Sequence, residues 1–316
     1  MTGRSNKDPK QRAVRLVTVD ADSANRRLDN FLLTELKGLP RARIYSMIRK
    51  GEVRVNKGRA KPATRLVAGD QVRIPPVTES LKKAPQIAPH KAGWILERIV
   101  YEDDHLLMID KPAGLAVHGG SGISLGAIEL LRAARPDSRF LELVHRLDRE
   151  TSGCLLVAKK RSALRKLHEE FRSGKVNKYY LALLLGDWHG DAREVDMPLL
   201  VEHRQNGERH VRPAAEGKPA LTVFQPEQRL AECILMNVRL VTGRTHQIRV
   251  HAAAIGHPVA GDKKYGSGLP GPAGLDRLFL HAHKLEIAHP DHGEVLTLEA
   301  PLDAQLRTTL EKLQQE

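Results

Sequence analysis

The first 75 residues carry two helical patterns followed by an alternating one. Between residues 24 and 36, leucines and a phenylalanine recur at helical spacing and form one apolar stripe. The segment RARIYSMIRK, residues 41–50, repeats this spacing and stops at Gly51. The segment EVRVN, residues 52–56, alternates apolar and polar side chains, which indicates a strand entering a hairpin. Together they predict a small helix–helix–β domain.

From Trp94 onward, short β-like runs dominate, including LLMID, GCLLVAKK, KYYLALLL and a long run over residues 231–250. Helical patterns interrupt them near residues 126–134 and 162–173. Because helices and strands do not alternate regularly, the pattern predicts an α+β fold with a mixed, mainly antiparallel sheet.

The order of these patterns predicts four segments. Residues 1–20 are basic and without periodicity, as expected of a flexible arm, and residues 21–75 form the helix–helix–β domain. Residues 76–93 are rich in Pro and Lys, which indicates a linker. Residues 94–316 form the larger domain.

The positive charge of the chain is concentrated at its start. The net charge is +13, and residues 1–75 contain 18 Lys/Arg against 7 Asp/Glu. One-signed charge in a small domain indicates binding to a polyanion, and RNA or DNA is favoured because no amphipathic membrane-surface helix accompanies it. The outward residues that we expect to contact nucleic acid are Arg41, Arg43, Arg49, Lys50 and Arg54.

Other bulk features narrow the class of protein. No apolar stretch approaches the ~20 residues of a membrane span, and the first 16 residues lack the apolar region expected of a secretory signal. The two cysteines lie far apart and in no CxxC pair, which suits a reducing cytoplasm.

The segment HRLDRETSG places Asp148 between Arg146 and Arg149, between two apolar runs. Turn chemistry explains the Thr, Ser and Gly but not the arginines, which would keep a carboxylate ionised. A Ser-His-Asp triad of His145, Asp148 and Ser152 is disfavoured because the three share one short loop. The segment therefore predicts a functional aspartate, with the role of Arg149 left open.

A second polar segment, residues 242–266, is dense in arginine and histidine. His246, His251 and His257 suggest a metal site, but their spacing fits no common zinc pattern. A phosphate-binding arginine cluster, or a partner for Asp148, is favoured. In KYYLAL, Tyr179 and Tyr180 point to opposite faces of a strand, so one of them can offer its ring to a base.

These segments resemble two known families. RLDNFL, SMIRKGEVRVN and AGDQVRI resemble the S4-like RNA-binding domain over residues 26–75. KPAG, HRLDRETSG, KYY, GRTHQIRVH and GHPVAGDKKYG, in this order, resemble the RluA-type bacterial RNA pseudouridine synthases. The likeness covers most of residues 94–301 and is greatest to members that modify 23S ribosomal RNA. It implies the pseudouridine synthase fold for the larger domain.

The resemblance also implies roles for four residues. Asp148 would be the catalytic nucleophile, and Tyr180 would pack on the target base. Arg249 would pair with the aspartate, and Arg146 would fill the space left by the flipped-out nucleotide. Tyr179 stands at a variable position of the family pattern, and no role is implied for it.

The implied reaction isomerises uridine without redox change, so we expect no cofactor and no metal. The expected partner is 23S ribosomal RNA or an assembling large ribosomal subunit, met in the cytoplasm by a monomeric protein. Two alternatives stay open. One is a non-catalytic RNA-binding assembly factor, and the other is a metal-dependent RNA hydrolase that uses the histidine-rich segment.

Overall fold

The structure is a computed structural model, and it describes residues 14–36, 39–77, 89–119, 125–203, 209–230, 232–266, 268 and 271–315. The chain divides into two compact units, Met1–Gln86 and Ile87–Glu316. Within the described ranges, no helix has both the length and the apolar character that crossing a bilayer requires.

The smaller unit packs two helices and a three-stranded antiparallel sheet around one core. Its elements are β1 (Arg15–Thr18), a 3-10 helix (Ala21–Ser23), α1 (Leu28–Glu35), α2 (Arg41–Lys50), β2 (Arg54–Val55) and β3 (Gln71–Ile74). The strand order is β1-β3-β2. The predicted apolar stripe is buried, with Leu28 and Leu32 at 0% exposure. Helix α2 ends at Gly51, whose φ of 72° is a conformation that favours glycine.

Two segment predictions require correction. Strand β1 lies inside residues 1–20, for which a flexible arm was expected, because Arg15–Thr18 pairs with β3 along its whole length. The predicted linker 76–93 ends in helix, with α3 at Pro89–Ala92 and a 3-10 helix at Gly93–Arg98. Ala92 and Ile95 are fully buried there and join the core of the larger unit. Residues 1–13 and 78–88 lie outside the described part of the chain.

The larger unit is built on a ten-stranded, mainly antiparallel sheet, which confirms the predicted fold class. Its strands are β4 (Ile99–Glu102), β5 (Leu106–Lys111), β6 (Glu142–Leu143), β7 (Ser152–Ala158), β8 (Asn177–Leu185), β9 (Arg193–Asp196), β12 (Leu221–Arg229), β13 (Cys233–Leu240), β14 (Leu280–Ala288) and β15 (Val295–Glu299). The strands β10 (Leu199–His203) and β11 (Arg209–Pro213) form a separate hairpin. The helices are α4 (Ala127–Ala134), α5 (Arg161–Ser173), α6 (Gln247–Ala254) and α7 (Ala304–Leu313).

The strand order explains how distant segments meet at one site. The main path is β4-β5-β7-β14-β8-β13-β12-β9, with β6 on β7 and β15 on β14. Strands β7 and β14 pair in parallel, through His281 with Ser152 and Ala282 with Gly153. The start of β7 therefore lies beside the start of β14, and β8 lies on the other side of β14.

The long β-like run over residues 231–250 is only partly a strand. Strand β13 ends at Leu240, and the polar end of the run belongs to helix α6. The turn between them passes through His246, whose φ of 54° is left-handed. Residues 247–252 of α6 are all buried, so the helix has no exposed polar face and its sequence lacks the usual amphipathic period.

Candidate active site

Asp148 lies on the turn between β6 and β7 and borders a cleft of about 730 Å³. Its side chain is 23% exposed, and the Nε2 of His246 lies 3.9 Å from its Oδ2. Arg146 and Arg149 are exposed and line the same cleft. The Nε of Arg149 donates to the carbonyl oxygen of Gly114 at 2.9 Å, which gives this arginine a structural contact. The carboxylate is thus accessible to a ligand yet mounted on a strand-end turn.

Tyr180 lies on β8 and borders a smaller cavity of about 110 Å³ that Asp148 shares. The tyrosine is 9% exposed. Burial, and then the charge of Asp148, raises the pKa of its hydroxyl, so the side chain is neutral at physiological pH. Tyr179 contacts a different group, since the Nζ of Lys284 lies 4.6 Å from its ring centre. Tyr180 is therefore the tyrosine that borders the Asp148 site.

Arg249 is hydrogen-bonded to Asp262 and not, as the resemblance implied, to Asp148. Its Nε and Nη2 donate to Oδ2 and Oδ1 of Asp262 at 2.7 and 2.6 Å. The two side chains are only 8% and 0% exposed. Burial opposes both charges, but the hydrogen bonds outweigh it, so the pKa of Asp262 is lowered and that of Arg249 is raised. Asp148 adds a Coulombic attraction to Arg249.

A buried lysine ties the KPAG turn to the turn that carries Asp148. Lys111 is 0% exposed. Its Nζ donates to the carbonyl oxygens of Pro112, Leu115 and Arg149 at 2.9, 2.8 and 3.1 Å. Burial lowers the pKa of Lys111 to about 7, while three acceptors match the three N–H bonds of an ammonium group. The sequence suggested only a turn at KPAG. It could not show the role of Lys111, because the carbonyl group of Arg149 lies 38 residues away along the chain.

A second network holds the other end of the same turn. The Oγ of Ser152 lies 2.9 Å from the Nδ1 of His281, and the Nη2 of Arg277 donates to that Oγ at 2.8 Å. Arg277 also forms an ion pair with Asp303. Burial lowers the pKa of His281 to about 4, so the ring is neutral, with its Nε2 3.1 Å from the carbonyl oxygen of Ala300. The serine hydroxyl therefore donates to Nδ1, and the Nε2–H donates to the carbonyl.

The three histidines considered for a metal site are held by separate groups. The Nδ1 of His246 lies 2.7 Å from a tyrosine hydroxyl. The Nε2 of His251 and the Nδ1 of His257 lie 3.0 and 3.1 Å from two different backbone carbonyl oxygens. The structure therefore does not bring them together as a ligand set.

One other set in the described part of the chain has metal-ligand spacing, namely Asp103, His105 and His289. It lies at the end of β5 opposite the KPAG turn. The Oδ2 of Asp103 accepts from the Tyr101 hydroxyl at 2.7 Å and lies 2.8 Å from the Nε2 of His289. The Nζ of Lys160 lies 2.9 Å from the Nε2 of His105. These contacts account for the cluster as a hydrogen-bonded network.

In the smaller unit, four of the five predicted RNA-binding residues are exposed on α2, and the fifth is half-buried on β2. The exposed ones are Arg41, Arg43, Arg49 and Lys50. Arg54 donates through Nη1 to the carbonyl oxygen of Lys57 at 3.3 Å. Arg43 lies 3.4 Å from a carboxylate oxygen of Glu52. Most of this positive face is therefore accessible to solvent.

Comparison with known proteins identifies the fold and the family. Residues 105–254 match the RNA pseudouridylate synthase family, and residues 26–72 match the S4 domain. The chain is 53% identical over 309 residues to the ribosomal large subunit pseudouridine synthase C of Escherichia coli K12. The matched region covers 95% of this chain and 97% of that protein. The chain belongs to the RNA pseudouridylate synthase family.

Further relatives support the assignment of this chain to the RNA pseudouridylate synthase family. The protein of the same name from Pasteurella multocida is 51% identical over 310 residues, covering 96% of this chain and 95% of that one. The solved structure titled human RNA pseudouridylate synthase domain containing 4 is 26% identical, with a TM-score of 0.60. It covers 72% of this chain and 97% of the human chain. The predicted resemblance to both families is confirmed.

Proposed function

We propose that this protein converts specific uridines of large-subunit (23S) ribosomal RNA into pseudouridine, with Asp148 as the catalytic nucleophile. The observation that carries the proposal is the position of Asp148, which borders both the open cleft and the small cavity that contains Tyr180. A nucleotide in the cleft could bring its ribose to the carboxylate while its base enters beside the ring. Two relatives that are more than half identical to this chain are named ribosomal large subunit pseudouridine synthase C.

The reaction balances within one nucleotide. The bond between C1′ and N1 breaks, the uracil turns, and a bond between C1′ and C5 forms. The C5 proton is lost and N1 gains a proton, so no electrons leave the substrate. The chain must therefore supply a carboxylate near C1′, a surface that holds the detached base, and an acceptor for the C5 proton.

The neighbouring residues suit the first two of these tasks. The neutral ring of Tyr180 offers a surface for the uracil. Arg249, held by Asp262, places a buried guanidinium near Asp148, and the two charges attract each other. Arg146 is exposed and borders both cavities, so it can fill the space that the flipped-out nucleotide leaves. Removing a base from its helix costs a few kcal/mol, which contacts elsewhere on the RNA can offset.

The segments would divide this work. Residues 21–75 would bind neighbouring RNA through Arg41, Arg43, Arg49, Lys50 and Arg54, and residues 94–316 would hold the reacting uridine. The proposed partner is 23S ribosomal RNA, free or in an assembling large subunit, and the proposed acting form is a monomer in the cytoplasm. No cofactor or metal takes part in this proposal.

The test is Asp148→Asn, assayed for pseudouridine formation and for RNA affinity. Activity should fall by several orders of magnitude while affinity stays near that of the wild type, because the shape of the side chain is kept. Glu150→Gln is the matched control, since this carboxylate is exposed on the same turn and lines the same cleft. An Asp148→Asn variant that isomerises RNA at the normal rate would contradict the proposal.

The two alternatives give different results in the same assay. An assembly factor would bind RNA without any turnover in the wild type. A metal-dependent hydrolase would cleave the RNA and would lose activity in EDTA. The proposal expects intact RNA as product and unchanged activity in EDTA.

A further inference from the structure

The smaller unit has a groove of about 510 Å³ between α2 and the loop that follows β2. Its lining residues are Tyr45, Ile48, Arg49, Arg59, Ala60, Lys61 and Pro62. The volume falls within the range of about 300–1,000 Å³ that small-ligand pockets occupy. The groove thus combines one aromatic ring, three apolar side chains and three cations, and only Arg49 belongs to the positive face predicted from the sequence.

The ring of Tyr45 is exposed but fixed in place. It is 40% exposed, and its hydroxyl donates to the Oδ2 of Asp29 at 2.7 Å. Asp29 is 3% exposed and also accepts from the Nε and Nη2 of Arg27 at 3.1 and 2.8 Å. The hydroxyl is therefore anchored to a buried, paired carboxylate. The groove lining is left with an aromatic ring whose orientation is set before any ligand binds, which reduces the entropy lost on binding.

The charged residues that line the groove are all positive. Arg49 lies one helical turn beyond Tyr45 on the same face of α2. The guanidinium of Arg59 lies over Gly51, so close that a Cβ on this glycine would approach Nε to 2.9 Å. Lys61 is exposed on the loop opposite α2. A ligand of this groove should therefore be anionic.

The mixture of groups points to an unpaired nucleotide rather than to a duplex. An A-form duplex hides the faces of its bases in stacking and presents phosphates and 2′-hydroxyls, for which exposed cations suffice. An unpaired base can stack on an aromatic ring, and this mode recurs in proteins that bind single-stranded RNA. The apolar side chains of Ile48, Ala60 and Pro62 suit the edge of a base, and they give nothing to a phosphate.

We propose that this groove binds one unpaired nucleotide of RNA, with its base stacked on Tyr45 and its phosphates near Arg49, Arg59 and Lys61. The inference rests on RNA being the partner, as proposed above, but not on Asp148 being catalytic. The nucleotide bound here would be distinct from the one that reacts, and it would help the enzyme to select its site by an unpaired position elsewhere in the RNA.

The test compares two RNAs with the full chain, a duplex with one bulged uridine and the same duplex fully paired. Tyr45→Ala should weaken binding of the bulged RNA by about 5- to 150-fold, the equivalent of about 1–3 kcal/mol of base stacking, and should leave the paired duplex nearly unchanged. Tyr45→Phe keeps the ring and should retain most of the affinity. Leu16→Ala, an exposed apolar side chain of strand β1 outside the groove, is the control.

Photocrosslinking locates the contact directly. A 5-iodouridine at the bulge should attach to the tryptic peptide of residues 44–49, which contains Tyr45. Absence of this adduct, or an equal effect of Tyr45→Ala on both RNAs, would overturn the inference. Because binding is measured without turnover, this result is independent of Asp148→Asn, and failure of one proposal leaves the other intact.

Discussion

The buried pair of Arg249 and Asp262 makes a quantitative prediction about the larger unit. Asp262→Asn keeps the shape of the side chain and the oxygen that accepts from the backbone N–H groups of Lys264 and Tyr265. It removes the charge that opposes a guanidinium with only 8% exposure. Leaving one partner of a buried ion pair uncompensated costs about 3–5 kcal/mol. In a unit of this size, that loss lowers the melting temperature by at least about 6 °C.

The assay is unfolding followed by tryptophan fluorescence. Trp94 and Trp188 are the two tryptophans of the chain, and both lie in the larger unit. The matched control is Glu202→Gln, which removes the charge opposite Arg212 at a contact of similar length, 2.6 Å, between side chains 44% and 46% exposed. Exposed ion pairs contribute only about 0–1 kcal/mol, so this variant should melt close to the wild type.

A double variant separates pairing from packing. Arg249→Met with Asp262→Leu replaces both charges by apolar groups, and it should be more stable than Asp262→Asn because no buried charge remains unpaired. If Asp262→Asn costs as little as Glu202→Gln, the reasoning about this pair is refuted. If the double variant is less stable than Asp262→Asn, the hydrogen bonds matter more than the uncompensated charge.

Two further predictions concern strand β7, which follows the turn that carries Asp148, and the histidine that contacts it. Gly153→Ala should sharply reduce activity and stability, because φ is 103° and a Cβ would approach the carbonyl oxygen of Ala282 to 2.2 Å. The control Gly174→Ala has a φ of 74° and open space around the new Cβ, so it should lower the free energy of unfolding by only about 1 kcal/mol. Equal losses of the two variants in thermal melts would contradict this reasoning. The pKa of His281 is about 4 in the folded chain and about 6.5 in the unfolded chain, so the unfolded chain binds more protons between these values. This histidine alone should therefore lower the free energy of unfolding by about 2 kcal/mol from pH 7 to 5. In urea titrations at several pH values, the free energy of unfolding should fall less between pH 7 and 5 for His281→Asn than for the exposed control His168→Gln. Equal falls in the two variants would contradict this prediction.

The sequence by itself determined the local elements and the family. Helix α2 could be predicted because its apolar side chains share one face and a glycine ends it. The turn around Asp148 could be predicted because polar turn residues separate two apolar runs. The family followed from motifs that are contiguous in the chain, such as HRLDRETSG and GRTHQIRVH.

Helix α6 could not be predicted from the periodicity of apolar residues. Its residues 247–252 are buried on all sides, so no alternation of exposed and buried positions marks it as a helix. Gln247 can be buried because its amide bonds the carbonyl oxygen of Leu221 and the hydroxyl of Thr222, at 3.0 and 2.9 Å. These partners come from β12, and the sequence of α6 carries no trace of them.

Only the tertiary structure decided which side chains hold the site together. The partner of Arg249 is set by the turn after α6, and the partner of Ser152 lies 129 residues away, because the sheet places β7 beside β14. The third carbonyl bound by Lys111 comes from Arg149, 38 residues away. Periodicity records whether a residue faces the core. It does not record which strand lies next to it, and that order places Ser152 beside His281.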